Sequence, residues 1–225
     1  MTSRSLPRIE PYDLPGPEEL PPNRAAWSPD PERAALLVHD MQGYFLRPFA
    51  AGTSPLAPAL DNIALLRAAC HAAGVPVFYT AKPGDMDPDE RGLERDFWGA
   101  GMRAIPEHTE ITARVAPADG DVLLTKWRYS AFARTGLADL LREQGRDQLL
   151  ITGVYAHIGC LVTATDAFMR DIQPFLVADA VADFSAADHR FALDYAAQCC
   201  AAVLPTQAVT TALSSTPAAT VASHA

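Results

Sequence analysis

Leu149-Leu150-Ile151-Thr152-Gly153-Val154-Tyr155-Ala156-His157-Ile158-Gly159-Cys160 runs directly into Leu161-Val162-Thr163-Ala164-Thr165-Asp166-Ala167-Phe168. An apolar run of strand length meets Gly153, and a small-residue pattern at helical spacing begins a few residues later. This is the strand–turn–helix unit in which an α/β sheet presents a reactive group at the carboxyl edge of a strand. The first amides of such a helix are free of intrahelical partners and carry the positive dipole end, so they suit an anion. A nucleophile is expected at such a turn. The turn here offers Gly159, with Cys160 one position later, and which of the two matters decides the chemistry.

The same logic extends outward along the chain. Apolar runs at residues 34–38, 75–80, 121–125, 148–152 and 173–178 read as strands, with a possible sixth at 203–209. Helical spacing marks residues 62–73, stopped by Gly74, then 135–145, 157–170 and 185–202, the last with Ser185 as N-cap. The alternation predicts an α/β fold: a single-domain, open parallel sheet of about six strands with helices on both faces, a three-layer sandwich. No GxGxxG or P-loop follows the first strand, so no nucleotide site is expected. Residues 1–33 hold eight of the nineteen prolines and read as an extended arm, with Trp27 pinning it to the body. The domain proper is expected over 34–212, and residues 213–225, rich in Ser, Thr and Ala, as a disordered tail. Residues 81–120 are punctuated by Pro and Gly, a length of loop that in a compact domain tends to form an active-site wall or lid.

Composition excludes several classes. A net charge of −9 without a basic cluster argues against nucleic acid. No window approaches the apolar length of a membrane span, and the first twenty residues lack a signal-peptide pattern, which makes the cytoplasm the expected location. Cys70, Cys160, Cys199 and Cys200 make no zinc spacing. They read as buried thiols, and no metal or cofactor is expected.

Three polar groups sit directly after three predicted strands: Asp40, Lys126 and the Gly159 turn. In a parallel sheet all strand carboxyl ends share one edge, so an acid, a cation and exposed amides can converge on a small anionic substrate.

The segments Leu36-Leu37-Val38-His39-Asp40-Met41-Gln42, Asp96-Phe97-Trp98-Gly99, Lys126-Trp127-Arg128-Tyr129-Ser130-Ala131-Phe132 and Gly153-Val154-Tyr155-Ala156-His157-Ile158-Gly159 together resemble the isochorismatase-like hydrolases over roughly residues 20–210. Amidases of that family use an Asp–Lys–Cys triad, and their cysteine falls on the residue that is Gly159 here. The isochorismatases, and the phenazine-pathway enzyme acting on the 2-amino analogue, are similar to this chain in having glycine there. They hydrolyse a vinyl ether and release pyruvate. The resemblance implies Asp40 as proton donor, Lys126 as its orienting or substrate-binding partner and Gly159 as a space-leaving amide donor. Arg91, Trp98, Tyr44, Phe45 and Tyr155 are implied as pocket residues, Phe97 and Trp98 being equally readable as core anchors. It also implies a cis Val154–Tyr155 bond and a homodimer.

At one position this chain departs from those relatives. Lys82 stands where they have glutamine, and it is expected either to pair with Asp85 or Asp87 outside the pocket or to stay inside and favour a hydroxyl or carboxylate. Two further readings stand beside ether hydrolysis: a cysteine amidohydrolase using Cys160, and an inactive family member serving as partner of a carrier protein. On a helix, one residue turns the side chain by about 100°, which aims Cys160 away from Asp40.

Overall fold

The first apolar run forms β1 (Ala34–His39), and every residue in it is buried. Leu36 and Val38 face one hydrophobic layer while Ala35 and Leu37 face the other, as alternating side chains must when both faces of a strand are covered. The computed structural model describes residues 6–214 and places β1 near the centre of a six-stranded sheet. The other strands are β2 (Val77–Ala81), β3 (Val122–Thr125), β4 (Gln148–Val154), β5 (Gln173–Ala182) and β6 (Ala202–Leu204). All pairings are parallel, in the order β3-β2-β1-β4-β5-β6. The order reverses between β1 and β4, which opens a crevice beyond their carboxyl ends.

The helices are α1 (Gly43–Leu46), α2 (Leu56–Ala72), α3 (Pro88–Arg91), α4 (Glu94–Trp98), α5 (Pro106–Thr109), α6 (Leu137–Glu143), α7 (Leu161–Phe168), α8 (Ala186–Cys199) and α9 (Thr206–Ser214). Ile63 and Leu66 of α2 join Val209 and Leu213 of α9 on one face of the sheet. Leu141 of α6, Ala164 of α7 and Leu193 of α8 cover the other. The N-terminal arm lies against this body: Trp27 meets Phe175 edge-on at 6.5 Å, Ile9 is fully buried, and Asn23 Nδ2 donates to the Val203 carbonyl at 2.9 Å.

Several boundaries differ from the sequence reading, each for a local reason. α2 starts at Leu56, ahead of residue 62, because Pro58 sits in its first turn, where a missing N–H costs nothing. β5 runs on to Ala182 past Asp179, whose side chain accepts from the Thr206 N–H and hydroxyl, both at 2.7 Å. That same contact starts α9, so the expected sixth strand ends at Leu204 and residues 206–209 are helical. α9 carries Leu213, buried, and Ser214 into the stretch expected to be disordered, and residues 215–225 lie outside the described residues. The segment after Gly153 opens with a π-turn, Ala156–Cys160, before α7 begins. Ser185 caps α8 as expected, its Oγ accepting from the Asp188 N–H at 3.1 Å.

Gly153 is fixed by close strand packing. Its φ is +108°, and a Cβ there would lie 2.1 Å from the carbonyl oxygen of His39, its register partner on β1. Gly153→Ala therefore adds backbone strain to a main-chain clash, and a loss of about 3 kcal/mol in urea denaturation is expected. A change within about 0.5 kcal/mol, the range of ordinary surface substitutions, contradicts this packing.

Candidate active site

Asp40 immediately follows β1 and has φ of +53°, an uncommon conformation that aspartate adopts more readily than most residues. The turn carries its carboxylate into the crevice, where almost none of it reaches solvent. Oδ2 accepts from the Lys126 ammonium at 2.8 Å, and Oδ1 from the Thr80 hydroxyl at 2.8 Å. The Asp40 N–H donates to the same hydroxyl at 3.1 Å. Thr80 is near the end of β2, and Lys126 follows β3, its N–H donating to the Ala81 carbonyl at 2.9 Å. Three adjacent parallel strands thus deliver acid, hydroxyl and cation to one edge.

Electrostatics around Asp40 oppose each other. Burial pushes its carboxyl up, but the charges of His39, Lys126 and Lys82 outweigh burial and hold it below the ordinary carboxylate range. His39 itself is pushed down to about 4, first by burial, so at neutral pH it is uncharged and the two lysines hold Asp40 ionised. Its ring is nonetheless fixed: Nδ1 lies 2.8 Å from the Val154 carbonyl and Nε2 3.3 Å from that of Tyr129. A neutral imidazole has one N–H, and the shorter contact assigns it to Nδ1.

The nine residues singled out from the sequence, Asp40, Lys126, Gly159, Lys82, Arg91, Trp98, Tyr155, Tyr44 and Phe45, all line a single cavity. Tyr155 donates its hydroxyl to the Phe45 carbonyl at 2.6 Å, and the Trp98 indole donates to the Tyr129 hydroxyl at 2.6 Å. The peptide between Val154 and Tyr155 is cis. Phe97, by contrast, is 70% exposed, so it neither anchors the core nor enters the cavity.

Gly159 corrects a simple expectation. The room beside it is not left open, because a Cβ there would lie 2.1 Å from Cε1 of His39 and 2.7 Å from Nε2. The imidazole occupies the place of a side chain at 159. Cys160 points elsewhere: it is fully buried in the layer with α6, α7 and α8, its Sγ is 3.9 Å from the Thr152 carbonyl, and burial raises its thiol far above the usual range. It does not line the cavity, and a thiol held protonated is a poor nucleophile.

Lys82 pairs with neither Asp85 nor Asp87. Asp85 accepts from the Ala104 N–H, Asp87 caps α3, and the Lys82 ammonium stays inside the cavity against Glu94 Oε2. The same oxygen accepts from Arg91 Nη1 at 3.3 Å, while Arg91 Nε donates to the Gly99 carbonyl at 2.8 Å. Burial pushes the Lys82 ammonium down to about 8, with Lys126 adding to the effect. Sequence reasoning missed Glu94, His39, Thr80 and Gln42. Gln42 matters because its amide reads both backbone groups of Lys82: Oε1 accepts from the N–H at 2.7 Å and Nε2 donates to the carbonyl at 2.9 Å.

An α/β sheet with a buried acid–cation pair at its carboxyl edge, in a cavity that no cysteine among the described residues lines, makes a candidate hydrolase site. The isochorismatase domain family matches residues 34–208, and the chain belongs to that family. It is 51% identical to an isochorismatase of Bacillus subtilis over 95% of this chain and 69% of that protein. It is 54% identical to the phenazine biosynthesis protein PhzD1 of Pseudomonas aeruginosa, over 91% and 98% respectively. Among solved structures, a cysteine hydrolase from Pseudomonas syringae pv. phaseolicola superposes with a TM-score of 0.75 at 28% identity, covering 86% of this chain and 97% of that one. No helix among the described residues is long and apolar enough to cross a membrane.

The His39–Gly159 contact makes a measurable prediction. Gly159→Ala is expected to destabilise the fold by roughly 1–3 kcal/mol through overpacking. In the His39→Ala background the same change should cost at least about 1 kcal/mol less, the signature of coupled neighbours in a double-mutant cycle. Additive effects in chemical denaturation contradict the steric assignment.

Proposed function

We propose that this chain hydrolyses the enolpyruvyl ether of isochorismate or its 2-amino analogue, with Asp40 protonating the vinyl methylene carbon. The observation that carries this reading is the buried Asp40–Lys126 pair in a cavity that no cysteine side chain lines. The names of the relatives, an isochorismatase and a phenazine biosynthesis protein, agree with it. On the family resemblance the working unit is a cytoplasmic homodimer.

An enol ether is electron-rich and resists nucleophiles, so the cysteine an amidase requires has nothing to attack until carbon is protonated. In the proposed cycle the Asp40 carboxylic acid gives its proton to the methylene, leaving a methyl group and an oxocarbenium ion. Water adds to that cation and returns a proton to Asp40. The hemiketal then breaks its bond to the ring oxygen, which leaves as a hydroxyl by taking up the proton that the hemiketal hydroxyl gives up as the carbonyl of pyruvate forms. In this reading Lys126 binds the substrate or holds Asp40 in aim, and the Gly159 amide, at the cavity wall, donates to an oxygen of the substrate.

The acid role requires a protonated carboxyl, whereas the protein's own charges hold Asp40 ionised. The substrate supplies the difference. Its two carboxylates bring negative charge next to Asp40, and like charge raises a carboxyl pKa. Proton uptake then accompanies productive binding.

This gives the pH sign. Because the reactive form carries one proton more than the free enzyme at neutral pH, kcat/KM should fall as pH rises, and fall further above about 8 as Lys82 loses its charge. Pyruvate release coupled to lactate dehydrogenase measures this directly. Asp40→Asn is expected to abolish release with little loss of substrate binding, while Cys160→Ala retains it. Near-normal turnover in Asp40→Asn, or a kcat/KM that rises through neutral pH, refutes the assignment.

A further inference from the structure

Glu94 opens α4 and lines the cavity, with only 7% of its surface exposed. One carboxylate oxygen, Oε2, takes both Lys82 and Arg91. The other, Oε1, is buried and has no hydrogen-bond partner. A buried acceptor left unpaired is costly, and in a cavity wall beside a catalytic pair that cost is removed by a donor on the bound ligand. We propose that Glu94, held by Lys82 and Arg91, is a specificity-determining residue whose free oxygen accepts from the substituent next to the ring carboxylate of the substrate. This rests on the ether-hydrolase reading above.

The charges decide which substituent is preferred. Lys82 and Arg91 contribute two cations to this wall and Glu94 one anion, while Asp40 and Lys126 cancel. The wall is net positive. It attracts the ring carboxylate, for which Lys82 and Arg91 keep unused donors. A neutral hydroxyl gains the Oε1 hydrogen bond without opposition. An ammonium gains the same bond but faces the two cations and loses its hydration on entry. The hydroxyl substrate, isochorismate, is therefore preferred over the 2-amino analogue.

The two halves of the pair have opposite effects on that preference. Lys82→Gln removes one cation and leaves Glu94 balanced by Arg91 alone, which moves the ratio of kcat/KM towards the amino substrate. Glu94→Gln keeps an acceptor oxygen but removes the anion that offsets Lys82 and Arg91, which moves the ratio towards the hydroxyl substrate. A purely structural role would lower both substrates together and leave the ratio alone.

The experiment measures pyruvate release from isochorismate and from the 2-amino analogue with the unmodified protein, Lys82→Gln, Glu94→Gln and the double variant. Each ratio is taken on one preparation, so loss of folded protein cancels; the double variant, with a neutral pair, covers a single variant that does not fold. Shifts of about tenfold in opposite directions, the scale of one charge interaction in such a site, with the double variant between them, are expected. Unchanged ratios, or shifts of the same sign, overturn the role of Glu94 while leaving the ether-hydrolase reading intact. Pyruvate from neither substrate with the unmodified protein overturns that reading, and this inference with it.

Discussion

A carboxylate and an ammonium, 2.8 Å apart and both almost wholly removed from water, sit at the carboxyl edge of a parallel sheet. Neither charge is tolerable there alone, because an isolated buried ion loses far more hydration than packing returns. The pair exists only because three adjacent strands are in register: β1 ends before Asp40, β2 carries Thr80, and β3 ends before Lys126. The fold's central constraint and the chemistry it supports are the same contact.

The second organising feature is steric. Families built on a thiol at the turn after β4 need a side chain there, and this chain fills that volume from the opposite side with His39. The imidazole is neutral, held by its Nδ1–H on the Val154 carbonyl, and lies 3.8 Å from the Asp40 carboxylate. With an imidazole where a thiol would stand, the proposed chemistry at that point of the cavity rests on the Asp40 carboxyl, which suits substrates that need a proton on carbon better than those that need attack at a carbonyl.

Much of this was legible without coordinates. Continuous apolar runs bounded by Gly and Pro gave β1, β2 and β4 close to their observed limits, since buried parallel strands carry little else. Polar residues next to strand ends gave Asp40 and Lys126. What stayed hidden depended on contacts between distant segments. The fifth strand read from the sequence stops at residue 178, yet β5 runs on through Asp179, whose side chain starts α9. Thr80 and His39 were ordinary strand residues until the register set one against the Asp40 carboxylate and the other against Gly159. Glu94 carried only one signal, its place three residues after Arg91, and without it the sequence left two places open for Lys82; the aspartates near it in sequence are engaged elsewhere and it stays inside the cavity. Gln42, next but one after Asp40, gave no sign that its amide would clamp the backbone of Lys82.

The account depends on a carboxyl that is ionised in the empty cavity and protonated once a dianion enters. Isothermal titration of a saturated lactyl ether analogue, which has the two carboxylates but no carbon to protonate, measures this at pH 6.5 in buffers of different ionisation enthalpy. Uptake of close to one proton per site by the unmodified protein, absent in Asp40→Asn, is the predicted result. Tight binding with no proton uptake contradicts it.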